Sequence, residues 1–131
     1  MTTAIICTAI LAALLFLLGA NVSRMRGVQA KEGGPQLPTD PADRLLIAIR
    51  AHGNAAEYIP TMIVLFLLVG ARSPAVVAIP LIIGATAARV VHAYGMLTAP
   101  SLAVQTKARA AGAAGTYFLG AGLAVAAAFS V

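Results

Sequence analysis

The stretch IRAHGNAAEYIP, residues 49–60, carries charged and amide side chains inside a long apolar run. Arg50, Asn54, Glu57 and Thr61 are spaced i, i+4, i+7 and i+11, so on a helix they lie within about 60° of one another. We call these four residues the polar stripe. A guanidinium grips carboxylates through paired hydrogen bonds, and a nearby carboxylate attracts an ammonium group. The stripe therefore has the chemistry to hold a small charged molecule.

A second polar group lies in ARVVHAYG, where Arg89 and His92 share one helix face. A second helix is thus expected to bring an arginine to the interior. Only one carboxylate, Glu57, accompanies Arg50 and Arg89, and this excess of positive charge favours an anionic guest. In the alternative interpretation, Arg50 and Glu57 form a buried ion pair that fixes helix packing, while Arg89 reaches or caps a helix end.

Two histidines have different expectations. His52 lies on the opposite side of its helix from Arg50, which predicts a helix or subunit contact. For His92, contact with a ligand and packing between helices remain equally open.

The elements that position these residues are membrane helices. Hydrophobic residues make up 60% of the 131 residues and charged residues only 10%, whereas a soluble domain carries roughly a quarter. A membrane helix needs about 20 apolar residues, and the chain contains four such runs. The sequence predicts an all-α integral membrane protein, a single four-helix domain over residues 1–131. The predicted helices cover residues 2–22, 44–70, 74–97 and 108–131.

The connecting segments predict the orientation. Lys and Arg concentrate in the loops 23–43 and 98–107 and around their ends, which places both loops in the cytoplasm and both termini on the other side. Glycine and proline in the first loop predict an irregular connector, with Asp40 or Asp43 capping the second helix. No positive charge precedes the first apolar run, which favours a retained helix over a cleaved signal peptide.

The remaining composition narrows the partners. The net charge of +5 lies mostly between apolar runs, which suits lipid headgroups better than nucleic acid. Cys7 is the one cysteine, so an intramolecular disulfide and CxxC motifs are excluded, and no metal is expected. Small residues recur at i, i+4 in the fourth run, as at Gly112 and Thr116, and predict close helix packing.

The pattern Arg-x-x-x-Asn-x-x-Glu on the second of four spans, with ARVVHAYG on the third, resembles the MAPEG family, the membrane-associated proteins in eicosanoid and glutathione metabolism. The resemblance covers nearly the whole chain and is closest to small bacterial members. It implies a homotrimer in the bacterial inner membrane, with glutathione as cosubstrate bound between neighbouring subunits near the cytoplasmic side.

The resemblance also implies roles for individual residues. Arg24 matches a basic residue at the end of the first helix, and His92 matches a position that is His or Tyr in characterised relatives. A nearby cation lowers the pKa of a thiol, and Arg109, or else Lys107, is expected to supply it. The residues expected to bind glutathione are Arg24, Arg50, Asn54, Glu57, Tyr58, Arg89 and His92.

Two departures from the family leave the reaction open. Met96 stands where eicosanoid-forming relatives carry a tyrosine, and no arginine follows the third helix before Arg109. The leading hypothesis is a glutathione transferase or peroxidase acting on hydrophobic electrophiles or lipid hydroperoxides. One alternative is a non-enzymatic member that binds a lipid or a partner protein. A third is a small transporter or channel subunit that uses Arg50, Glu57 and Arg89 as an ion path.

Overall fold

The computed structural model describes residues 1–130, and four helices contain most of them. Each helix is long and apolar enough to cross a membrane, which confirms the predicted all-α, four-span architecture and marks the chain as an integral membrane protein. The last residue of the predicted fourth helix, Val131, lies outside the described residues. The helices are α1 (Thr2–Lys31), α2 (Arg44–Arg72), α3 (Ala75–Leu97) and α4 (Lys107–Ala128).

The helices pack with α2 and α3 in the middle. Only Ser73 and Pro74 separate these two, so they run antiparallel as neighbours. Both α1 and α4 contact α2 and α3, whereas α1 and α4 make no contact with each other within residues 1–130. Large apolar side chains such as Phe16 (78% exposed) and Phe118 (81% exposed) point outward. This surface is suited to lipid.

The first helix is longer than the sequence predicts. It runs to Lys31, nine residues beyond the predicted end, so the expected irregular connector is helical over its first part. The segment 23–31 contains no proline, and the helix stops only at the Gly33–Gly34 pair. Gly33 has φ 68°, and the Gly34 amide donates to the Gln29 carbonyl at 2.9 Å, the pattern of a glycine-terminated helix.

Side-chain caps set the start of two helices. The Asp43 carboxylate accepts hydrogen bonds from the amides of Leu45 (2.7 Å) and Leu46 (3.2 Å), so Asp43 is the cap of α2. The Thr106 hydroxyl accepts from the Arg109 amide (3.2 Å) at the start of α4. These caps fix where each polar residue stands along its helix.

The closest approach is between α3 and α4. A Cβ atom added at Gly112 would lie 2.5 Å from the His92 amide nitrogen, and one added at Gly95 would meet the Arg109 backbone. The small residues predicted to allow close packing in α4 therefore do so against α3. This approach brings Thr116, one turn beyond Gly112, next to Arg89.

Candidate functional site

The polar stripe faces outward from the bundle. Arg50, Glu57 and Thr61 are exposed and Asn54 is half-buried. Within residues 1–130, Arg50 and Glu57 form no ion pair, so the predicted buried pair is not the arrangement adopted. Along α2 they lie about 9 Å and about 20 Å from the first residue. The Glu57 carboxylate and the Arg50 guanidinium are therefore exposed at a depth where lipid hydrocarbon would surround them if nothing else covered them.

The arginine of α3 lies in the bundle interior, as predicted. Arg89 is 1% exposed and contacts both neighbouring helices. Its Nη2 donates to Asn54 Oδ1 at 2.9 Å, and its Nη1 donates to the Thr116 hydroxyl at 3.4 Å. The guanidinium carbon lies 5.3 Å from the centre of the Tyr58 ring, a cation–π contact. Asn54, Thr116 and Tyr58 thus stabilise the buried guanidinium. Among residues 1–130, no carboxylate forms an ion pair with Arg89.

An apolar groove adjoins the stripe between α2 and α4. Tyr58 and Tyr117 pack with ring centres 5.9 Å apart, and both line the groove, together with Thr61 of the stripe. Its volume is about 260 Å³, and small residues of α4 form one wall. The polar stripe therefore lies beside the apolar groove. The lining residues are Tyr58, Thr61, Met62, Leu65, Thr116, Tyr117, Gly120, Ala121 and Ala124.

Arg24 lies elsewhere, at the end of the bundle where α2 begins. It is exposed, donates to Asn21 Oδ1 at 3.0 Å, and lines a cavity of about 430 Å³ with Arg44. No residue of the polar stripe lines this cavity. Arg44 was not among the predicted site residues. Its position directly after the predicted cap Asp43 indicates that it is the first residue of α2 and lies at the end of the bundle. The lining residues are Asn21, Arg24, Met25, Arg44, Ile47 and Leu97.

The two candidate thiolate-stabilising cations differ in their surroundings. Arg109 Nη1 donates to the carbonyls of Leu102 (2.9 Å) and Val104 (3.4 Å), so this side chain binds the loop before α4. The same loop joins the first loop, because the Leu102 amide donates to the Pro41 carbonyl at 2.8 Å. Lys107 is exposed at the start of α4.

We expect Arg109→Ala to loosen the loop 98–106. Hydrogen bonds from a charged donor contribute about 1.5–3 kcal/mol, so amide exchange at Leu102 and Val104 should quicken by roughly tenfold or more. Hydrogen–deuterium exchange with mass spectrometry measures this. Lys107→Ala is the matched control and is expected to leave the rate unchanged, and equal rates in both variants would argue against a loop-binding role for Arg109.

The histidines and Met96 lie in packed positions. His92 is 6% exposed where α3 crosses Gly112, and Met96 is 5% exposed in the hydrophobic core. His52 packs against α1, because a Cβ atom added at Gly19 would lie 3.3 Å from its Nε2 atom. The predicted helix contact of His52 is thereby confirmed. The structure thus places His92 at the α3–α4 contact.

Two residues of the Arg89 surroundings were not predicted. Thr116 was noted only as a small residue, and Tyr117 was not singled out. Both depend on how α4 is rotated against α2 and α3, which the spacing within α4 does not determine. The sequence signal for Thr116 is its position one turn after Gly112, because small residues at this spacing predict close helix packing.

Comparison with known proteins identifies the family of this chain. The sequence model of the MAPEG family matches residues 4–129, which include the whole stripe and Arg89. Neither the curated proteins nor the solved structures that were compared gave a match. The match covers nearly the full length of the chain, and the chain belongs to the MAPEG family.

Proposed function

We propose that the protein binds glutathione in the membrane and acts as a glutathione transferase or peroxidase on hydrophobic electrophiles. The observation that carries this proposal is the outward-facing polar stripe, on which Arg50 and Glu57 form no ion pair within residues 1–130. A charged side chain in the bilayer interior costs several kcal/mol, so Arg50 and Glu57 require a polar cover. Membership of the MAPEG family is consistent with a glutathione-related occupant.

The chemistry of glutathione complements the stripe. The tripeptide carries two carboxylates, one ammonium group and two peptide bonds. Arg50 is suited to one carboxylate through two parallel hydrogen bonds, and Glu57 to the ammonium group. Asn54 stands between them, one helical turn from each, and its amide matches a peptide group. The adjoining groove at Tyr58 and Tyr117 offers an apolar electrophile a place beside the thiol.

The position of Arg24 supports a site shared between subunits. Family resemblance assigns Arg24 to the same ligand as the stripe, yet in one chain Arg24 lines a different cavity. We therefore propose a homotrimer in which Arg24 of one subunit completes the stripe of the next. The same resemblance supports a place in the bacterial inner membrane, and the Lys and Arg residues around the loops 23–43 and 98–107 support both termini on the non-cytoplasmic side.

The proposed reaction is attack by the glutathione thiolate. A cation in the first turn of α4, Arg109 or else Lys107, favours loss of the thiol proton. With an aryl halide, the sulfur forms a bond to carbon and halide leaves. With a hydroperoxide, the sulfur takes the terminal oxygen and the alcohol leaves after gaining a proton. A second glutathione then displaces water from the oxidised sulfur and forms the disulfide.

Glutathione titration tests the proposal. We expect calorimetry on the detergent-purified protein to detect binding, and Arg50→Ala to weaken it by roughly ten- to a hundredfold, the effect of losing one or two charge-assisted hydrogen bonds. Arg72→Ala removes an exposed arginine at the other end of α2 and serves as the matched control. Absence of binding by the unaltered protein would contradict the proposal.

A second candidate function is glutathione or lipid binding without catalysis. The observation that favours it is the engagement of Arg109 with two loop carbonyls, together with the burial of Met96 at a position that is tyrosine in eicosanoid-forming relatives. Binding without conjugation of any reactive aryl halide, and without reduction of lipid hydroperoxides, would support this alternative. A Lys107→Ala variant that binds glutathione but conjugates more slowly would support catalysis instead.

A further inference from the structure

The carboxamide of Asn54 lies between the bundle interior and the polar stripe. Its oxygen accepts a hydrogen bond from Arg89 Nη2 at 2.9 Å. A guanidinium has donors and no acceptor, so the amide atom that faces Arg89 must be the oxygen. The NH₂ group consequently lies on the other side of the carboxamide. Asn54 is half-buried, and within residues 1–130 its NH₂ group donates to no protein atom.

Arg89 is well placed to hold this orientation. It is 1% exposed, and Thr116 on α4 and Tyr58 on α2 contact the same guanidinium. These contacts join three helices, so turning the side chain away would break all of them. Its Nε–H is buried without a partner, which makes each remaining acceptor more valuable. Rotating the Asn54 amide would remove one of two acceptors from a buried cation.

We propose that Arg89 is a positioning residue that makes Asn54 a hydrogen-bond donor at the polar stripe. The donor lies between the guanidinium of Arg50 and the carboxylate of Glu57, and it is suited to a neutral acceptor, a peptide carbonyl of the ligand. This inference rests on the glutathione binding proposed above and adds the residue that sets the polarity of its centre. Arg89 itself, being buried, acts on the ligand only through Asn54.

The orientation matters because the oxygen and the NH₂ group of an asparagine amide are similar in size, but one accepts hydrogen bonds and the other donates them. Without Arg89, the oxygen of Asn54 is free to turn outward, where Arg50, one turn earlier on α2, is the nearest donor on the stripe. Arg50 would then donate a hydrogen bond to the Asn54 oxygen, and fewer of its N–H groups would remain for a ligand carboxylate. Loss of Arg89 is therefore expected to weaken ligand binding twice, at the amide and at the guanidinium.

The test uses Arg89→Met, Asn54→Leu and the double variant, with two measurements on each. The first is the unfolding temperature in detergent without ligand. Each single change leaves one partner of the hydrogen bond without the other, so the double variant is expected to lose less than the sum of the two. Additive losses would overturn the contact between the two side chains.

The second measurement is the dissociation constant for glutathione. We expect Arg89→Met to raise it at least tenfold in the unaltered protein and by less than twofold in the Asn54→Leu background, because Arg89 acts through Asn54. A merely structural role would weaken binding in both backgrounds and would overturn the proposal. Arg89→Lys retains a charged donor and is expected to restore most of the affinity.

The controls separate this inference from the proposed function. Thr86→Val removes a buried hydroxyl one turn before Arg89 that donates to the Ile82 carbonyl at 2.8 Å, and is expected to change glutathione affinity by less than twofold. Asn54→Asp keeps an acceptor for Arg89, so it protects folding should Asn54→Leu prove unstable, and Arg89→Met is then introduced in that background. Absence of binding by the unaltered protein overturns the proposed function, whereas normal binding by Arg89→Met overturns only the role assigned to Arg89.

Discussion

Replacing Gly112 with alanine is expected to lower the unfolding temperature of the detergent-solubilised protein by roughly 5–10 °C, the effect of about 1–3 kcal/mol of overpacking. The added Cβ would lie 2.5 Å from the His92 amide nitrogen and 2.6 Å from its Cα atom. Both are backbone atoms, so no side-chain rotation relieves the clash. The two helices must move apart, and their packed surface is lost.

The same change is expected to reach the candidate site. Thr116 follows Gly112 by one turn and accepts a hydrogen bond from Arg89, which in turn binds Asn54. Separation of α3 from α4 therefore disturbs the interior support of the polar stripe. We expect Gly112→Ala to weaken glutathione binding in addition to lowering the unfolding temperature.

The matched control lies two turns further along α4. A Cβ added at Gly120 would be 3.8 Å from the Met62 methyl group, an ordinary contact. Gly120→Ala is expected to leave the unfolding temperature unchanged or to raise it slightly, because alanine favours a helix over glycine by about 1 kcal/mol. Equal unfolding temperatures for the two variants would show that close approach at Gly112 is not what holds α3 to α4.

The four spans were predictable because each rests on a local property, a run of about 20 apolar residues. The end of α1 was harder. Arg24, Arg26 and Lys31 mark the end of the hydrocarbon-crossing part, but charge does not stop a helix. The helix ends just before Gly33. The predicted end was set by the first charged residues, whereas the observed end is set by the glycine pair.

The site was predictable only within one helix. Periodicity fixes the angles among Arg50, Asn54 and Glu57, because all three share α2. It does not say which way that face points, and the expectation that Arg50 would lie inside the bundle was wrong for the single chain. Arg89 contacts Asn54, which is 35 positions away in sequence, and Thr116, which is 27 positions away. Both contacts depend on how three helices are rotated and shifted against one another. Spacing within a single helix carries no information about either.

Mixed trimers are expected to regain glutathione binding that two inactive variants lack. If Arg24 of one subunit completes the stripe of the next, Arg24→Ala and Arg50→Ala should each abolish tight binding when present in every subunit. In trimers that contain both variants, about one third of the sites combine an intact stripe with an intact Arg24. Co-expression of differently tagged variants, tandem purification and titration with radiolabelled glutathione measure this fraction.

The control mixture pairs Arg50→Ala with Glu57→Ala. Both changes fall on the same stripe of one chain, so no combination of subunits restores an intact site, and binding is expected to remain absent. Recovery in the first mixture but not in the second requires that Arg24 and the stripe act from different subunits. Failure of the first mixture, with tight binding by the unaltered trimer, would mean that Arg24 and the stripe must belong to the same chain to act, and would contradict the shared site.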